Sequence, residues 1–254
     1  MVNENQGLLE GKVIIVTGAG RGIGQAMAVI FAKNGAIVYA NDISVGVIES
    51  WCQEINKSSS GKIRELYFDI CNEYEAKRAV LKIKKECGHI DGLVNNAGIE
   101  FNELIGMINH ENMQKMFNVN VFGTINMLQI VSRIMAKQEQ GGSIVNIASL
   151  TALRGNKGQL VYSATKGAVI SLTKSAAKEL AEKKIRVNAI APGLTNTLMM
   201  KQAEQEKLQK RIDNICMGRL AEPEDIAKAC VFMLSDLSGY VSGQILAVDG
   251  CTIM

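Results

Sequence analysis

Tyr162 and Lys166 stand four positions apart, so an α-helix through them puts both on one face. A free phenol ionises near pH 10, too high for efficient proton exchange at neutrality. A neighbouring ammonium stabilises phenolate. Lowering the phenol by ~2–3 units takes roughly 3–4 kcal/mol, within reach of a charge in a closed site. Upstream, Ser149 follows the apolar run Ser143–Ala148. A hydroxyl at the carboxyl end of a strand can donate to a carbonyl oxygen as negative charge develops on it. Chemistry alone leaves its neighbours Ala148 and Thr151 open as part of that contact.

A second constellation lies near the start of the chain. The apolar run Val13-Ile14-Ile15-Val16 enters Thr17-Gly18-Ala19-Gly20-Arg21-Gly22-Ile23-Gly24, and a helical pattern follows. Strand, glycine turn and helix form the context of a dinucleotide site. Glycine lets a pyrophosphate approach the backbone, and the helix N-terminus presents free N–H groups to it. Asp42 comes 24 positions after Gly18, behind the next strand-like run. An acid ~20 residues on accepts hydrogen bonds from ribose hydroxyls and repels a 2′-phosphate, which favours NAD. Arg21 pulls toward NADP, since a guanidinium in the loop can meet a 2′-phosphate.

The elements that must position these groups alternate along the whole chain. Strand-like runs occur at Lys12–Thr17, Ala36–Asn41, Ile63–Phe68, Gly92–Asn95, Ser143–Ala148, Ile185–Ala191 and Gln244–Val248. Between them, spacings such as Ile23, Met27, Ile30 and Phe31 mark one apolar helix face. Continuous apolar strands with intervening helices predict an α/β fold, a single doubly wound Rossmann domain of about seven parallel strands with helices on both faces. Residues 1–10 read as a flexible N-terminal segment and 11–254 as the one domain. The Gln-, Lys-, Met- and Glu-rich stretch 195–220 reads either as a substrate lid or as an ordinary helix pair.

Composition narrows the function classes. The net charge of +3, from 28 Lys+Arg and 25 Asp+Glu, argues against nucleic acid or an anionic membrane as partner. No apolar run approaches the ~20 residues of a membrane span, and the polar first residues show no signal peptide, so the expected location is cytoplasmic. The 6 cysteines are scattered and there are only 2 histidines, so free thiols and no metal site are expected.

These motifs resemble the short-chain dehydrogenase/reductase family over nearly the whole chain. The carrying residues are Thr17–Gly24, Asn95-Asn96-Ala97-Gly98, Asn120, Ser149, Tyr162-Ser-Ala-Thr-Lys166 and Pro192-Gly193. Within the family the likeness is greatest to the 3-oxoacyl-carrier-protein reductase type. The resemblance implies hydride transfer between a secondary alcohol and a ketone, with NAD or NADP as cofactor and a small-molecule or thioester substrate. It implies that Tyr162 is the general acid and base, and that Lys166 also holds the nicotinamide ribose. It selects Ser149 by its spacing to Tyr162. Asn120, with Asn118 as runner-up, would complete a tetrad and hold a water in the proton relay.

The same resemblance places Asp69, Ile70, Asn96, Ala97 and Gly98 near the adenosine, and Pro192, Gly193, Thr195 and Thr197 near the nicotinamide. It also implies a homotetramer with the C-terminal tail packed at an interface. Glu100, Phe101, Leu153, Gln159, Met199 and Met200 are candidate pocket walls, and Lys183, Lys184 and Arg186 a candidate basic patch for an acidic carrier. Alternatives are a sugar, polyol or hydroxysteroid dehydrogenase and, on the same fold, a nucleotide-sensing regulator or a nucleotide-sugar epimerase. Regulators of that kind tend to lose the Tyr or Lys kept here.

Overall fold

Seven strands form one parallel sheet in the order β3-β2-β1-β4-β5-β6-β7. They are β1 (Val13–Thr17), β2 (Ile37–Asp42), β3 (Lys62–Tyr67), β4 (Gly92–Asn95), β5 (Gly142–Ile147), β6 (Ile185–Pro192) and β7 (Ile245–Val248). The computed structural model describes residues 7–197, 209 and 211–253. The expected doubly wound sheet is therefore the observed one, with each boundary within a residue or so of its sequence-based position.

The pleat explains why the central strands are apolar throughout. Ile14 and Val16 of β1 point into one core with Met27 and Phe31 of α1 (Gly22–Lys33) and Ile226 and Cys230 of a C-terminal helix (Pro223–Leu234). Val13 and Ile15 point into the other, with Val80 and Ile83 of α3 (Glu73–Cys87) and Met127 and Val131 of α5 (Thr124–Met135). Both faces are covered, so no residue of β1 reaches solvent. The helices α2 (Glu49–Ser58), α4 (His110–Phe117), α6 (Leu150–Arg154) and α7 (Leu160–Leu180) complete the order, the C-terminal helix being α8.

Two features depart from expectation. Of the segment 1–10, read as flexible, residues 7–10 pack on the domain: Leu9 is fully buried and its N–H donates to Asn34 O at 3.1 Å. Residues 118–123, the stretch around Asn120, form a π-helical turn between α4 and α5. Such turns interrupt the regular i→i−4 ladder and aim side chains that an ordinary helix would not. Residues 198–208 and 210 of the expected lid, the pair Met199–Met200 among them, lie outside the described residues.

Candidate active site

Strand order reverses between β1 and β4, and in open α/β sheets the carboxyl edge at such a reversal is where ligands bind. The glycine turn leaves β1 at this edge. Gly18 takes φ +64°, and a β-carbon on it would come within 2.8 Å of Ala97 Cα, so only glycine lets β1 and β4 turn this close together. A β-carbon on Gly20 would fall 2.6 Å from Asp42 Oδ2. Gly22 begins α1, behind an N-cap, Arg21, that makes no side-chain cap, with no acid in the first turn. Side chains cap α3, α4 and α6, through Asn72, Asn109 and Ser149, but not α2, α5 or α7. The first N–H groups of α1 are thus left for an anionic group, and the cradle fits a dinucleotide pyrophosphate.

Asp42 is the last residue of β2, and its two oxygens accept from Gly20 N and Ser44 N at 3.0 Å each. A carboxylate accepts about four hydrogen bonds, so capacity remains toward a ribose. Arg21, which follows Gly20 in the chain, is exposed. Thr197 lies near Gly22 at the other end of the turn, its Cγ2 3.8 Å from where a Gly22 β-carbon would be. Ile23 packs partly against the core of the first face.

Several expected contact residues prove to be occupied by the fold. Asn96 Nδ2 donates to Thr17 O and Gly18 O, at 2.9 and 3.0 Å, and so braces the glycine turn. Thr17 Oγ1 accepts from Asn96 N and Ala97 N and donates to Val94 O. Its part in tying the two turns together carries no signal in a single sequence. Thr195 is buried, and its hydroxyl donates to Gly193 O at 3.0 Å, which closes the turn after β6 rather than facing the crevice. Pro192 is the last residue of β6, paired with Val248, and not a loop residue. Asp69 and Ile70 follow β3 at the same edge. There Asp69 Oδ1 accepts from Cys71 N, and Ile70 packs under Gly123 of the π-turn.

The reactive side chains converge where β4, β5 and α7 meet. Ser149 ends β5's exit and caps α6. Thr151 donates to its Oγ from both N, at 3.3 Å, and Oγ1, at 3.0 Å. Both acceptor positions are filled, so the Ser149 proton is free to be donated outward. Lys166 is buried, with Nζ 5.9 Å from the Tyr162 ring centre and donating to Ile147 O at 2.8 Å. Asn120 is buried too. Its Nδ2 donates to Ile99 O and Thr165 Oγ1, and its Oδ1 accepts from Ile99 N. Its remaining lone pair sits by Gly98, where Lys166 Nζ also stands: a β-carbon there would be 3.2 and 3.3 Å from the two atoms. Asn118, the runner-up, is exposed.

The electrostatics reverse one expectation. Burial and the nearby Glu100 carboxylate push the Tyr162 phenol above its ordinary value, with the Ser149 hydroxyl pulling the other way. Burial pushes Lys166 down to about 8, while Glu100 opposes. In this site desolvation disfavours both phenolate and ammonium, and it outweighs the lowering expected from the lysine. Glu100 owes its place to Gln159, whose Nε2 donates to Oε1 just before α7 begins. The sequence marks both only as candidate pocket walls. Leu153 is partly exposed on α6. The candidate carrier-docking patch lies elsewhere. Lys184 and Arg186 sit at the amino edge, beside the starts of β5 and β6. Arg186 donates to the carbonyls of Met233, Ser235 and Val241, so it fastens the end of α8.

Known proteins agree with this architecture. The family profile described as Enoyl-(Acyl carrier protein) reductase matches residues 18–251. A 3-oxoacyl-[acyl-carrier-protein] reductase FabG of Thermotoga maritima is 40% identical over 242 residues, 95% of this chain and 98% of the relative. A 3alpha-hydroxysteroid dehydrogenase of Mediterraneibacter gnavus is 38% identical over 244 residues, 96% of this chain and 97% of its own. The solved structure of a short-chain type dehydrogenase/reductase from Mycobacterium ulcerans superposes with a TM-score of 0.89 at 32% identity, covering 96% of this chain and 90% of that one. Likeness of this extent, in sequence and in fold, shows that the chain belongs to the short-chain dehydrogenase/reductase family, the NAD(P)-dependent oxidoreductases that act on CH–OH groups.

Proposed function

We propose that the protein reduces a 3-oxoacyl thioester to the 3-hydroxyacyl form, and that it prefers NADH. The observation that carries the carbonyl chemistry is the filled acceptor side of Ser149, which leaves its hydroxyl as a donor beside the Tyr162 phenol. The identity to 3-oxoacyl reductases supports the thioester, and Asp42 supports the cofactor.

When bound, the dinucleotide supplies the hydride. The chain's own residues handle the oxygen and the proton. Ser149 donates to the carbonyl oxygen and grows stronger as that oxygen becomes anionic. Tyr162, a phenol protonated at neutral pH and raised further by burial, hands its proton to the developing alkoxide, a stronger base than phenolate. Lys166, next to the turn at Gly98, offers N–H donors to the nicotinamide ribose. Asn120 holds the Ile99 backbone and Thr165, the residue before Lys166, in register, and keeps one lone pair toward a relay water. Asp42 accepts from the adenosine ribose hydroxyls; Gly18, Gly20, Gly22 and Gly24 with the start of α1 take the pyrophosphate.

We further read 11–254 as one catalytic domain and 195–220 as its substrate lid. The homotetramer is supported by apolar side chains at two places, Phe122 with Ile125 and Phe232 with Leu246, each of which suits a second copy. Exposed free thiols at Cys71, Cys216 and Cys251 suit the reducing cytoplasm. A second reading, a hydroxysteroid dehydrogenase, draws on the relative of that name.

The deciding experiment is the initial rate of acetoacetyl-thioester reduction with NADH and with NADPH, for the wild type and Asp42→Ala. Faster turnover with NADH, reversed or levelled in the variant, is the expected result. Faster wild-type turnover with NADPH overturns the cofactor reading. Turnover of a steroid ketone but not of the thioester overturns the substrate.

A further inference from the structure

Cys216 and Cys251 are remote in sequence and opposed in space. Ile215 and Thr252 form an antiparallel bridge. Around it Cys216 N donates to Cys251 O at 3.3 Å and Ile253 N to Asn214 O at 2.7 Å. In that register Cys216 stands opposite Cys251, joined by one of the two backbone hydrogen bonds of a regular pair, Cys251 N turning instead to Asp249 Oδ1 at 3.1 Å; residues opposed across antiparallel strands have Cα atoms about 4.5–5.5 Å apart. This is within the range, about 4.4–6.8 Å, that a disulfide requires. Both thiols are exposed.

The backbone adds an independent sign. Cys251 takes φ +58°, one of only two non-glycine residues in the left-handed region among the described residues. Glycine adopts that conformation without strain. A thiol stands there against the backbone's preference, and strain of this kind points to a role for the side chain.

We propose that Cys216 and Cys251 are a redox-modification site that closes to an intramolecular disulfide by exchange with a small disulfide such as oxidised glutathione. One cysteine thiolate attacks a glutathione sulfur, forms a mixed disulfide and releases one glutathione thiolate. The second cysteine thiolate then attacks the protein sulfur and releases the other. The two thiol protons end on the two glutathiones. The protein loses two electrons and the glutathione disulfide gains them.

The bond bears on the catalytic crevice through the tail. Arg154, at the end of α6, donates to Thr252 O, and its Nη2 lies 3.5 Å from Asp249 Oδ2. Asp249 packs on Gly193, so that a β-carbon at Gly193 would be 2.8 Å from Asp249 Cα. A disulfide would fasten residues 214–217 to this tail, which braces the helix that Ser149 caps. Turnover should therefore fall on closure and return on reduction.

The test treats purified protein with oxidised glutathione and reads intact mass, thiol titre in denaturant and turnover. Closure predicts a loss of about 2 Da with no adduct on Cys216 or Cys251, and those two thiols gone from the titre. Cys216→Ser or Cys251→Ser should instead retain one glutathione adduct on the remaining thiol. Cys71→Ser should behave as the wild type. Stable glutathione adducts on wild-type Cys216 or Cys251, or disulfides that link two chains on a non-reducing gel, would overturn the site. Turnover that stays unchanged through full closure would overturn its link to α6. None of the mass readouts depends on the substrate or cofactor proposed above.

Discussion

Replacing Lys166 with methionine should abolish turnover and yet stabilise the fold at neutral pH. Burial moves this lysine from its ordinary 10.5 to about 8, so the folded protein holds the ammonium at pH 7 against its preference. At about 1.4 kcal/mol per tenfold change in proton affinity, that opposition is worth about 3 kcal/mol. Methionine removes the charge and fills similar space, but it leaves Ile147 O without its 2.8 Å donor, a loss of about 1 kcal/mol. The net expectation is a gain of about 2 kcal/mol at pH 7.

The pH dependence gives the sharper check. Between pH 8 and 10.5 the unfolded chain keeps a proton that the folded chain has lost, so wild-type stability rises with pH across that window. The variant's advantage should shrink by about 2 kcal/mol from pH 7 to pH 10. Urea denaturation of both proteins, at one protomer concentration and at both pH values, measures it. A variant less stable than wild type at pH 7, or a difference that does not change with pH, refutes the reasoning.

Other substitutions test the remaining roles. Tyr162→Phe should lower kcat by about 10²–10⁴, while fluorescence titration shows NADH still bound. Ser149→Ala should lower kcat/KM by roughly 10²–10³ through loss of the donor to the carbonyl oxygen. Glu100→Gln removes the charge that raises both Tyr162 and Lys166, so the alkaline limb of the kcat/KM profile should move to lower pH. An unmoved limb would mean that Glu100 does not act on the pair.

Much of the fold was legible because its signals are local. A parallel sheet buried on both faces leaves strands that are apolar throughout, and helices between them carry their own period. All seven strands could therefore be placed from the chain. The glycine turn was equally plain, since a backbone that must take φ +64° and approach Ala97 admits only one residue type at Gly18. Tyr162 and Lys166 could be paired from their spacing, whereas Ser149 and Asn120 were picked out only by the resemblance to the family.

What those residues do to one another could not be read in one dimension. Whether the phenol rises or falls depends on how much water surrounds it and on a carboxylate, Glu100, brought in by a separate loop and held by Gln159. Desolvation belongs to the packed state and has no counterpart in spacing. The same holds for hydrogen-bond partners. Asn96 and Thr195 have the right types and places to meet a cofactor, but the fold engages them in its own turns. Arg186 reads as surface charge, but at the amino edge it fastens three carbonyls. Cys216 and Cys251 read as scattered thiols until an antiparallel bridge opposes them. By itself the chain determined the order of elements, the glycine turn and the candidates for the reactive groups, because these follow from local pattern and family motif. Only the tertiary structure decided their protonation, their partners and their access, because each depends on distances between segments far apart in sequence.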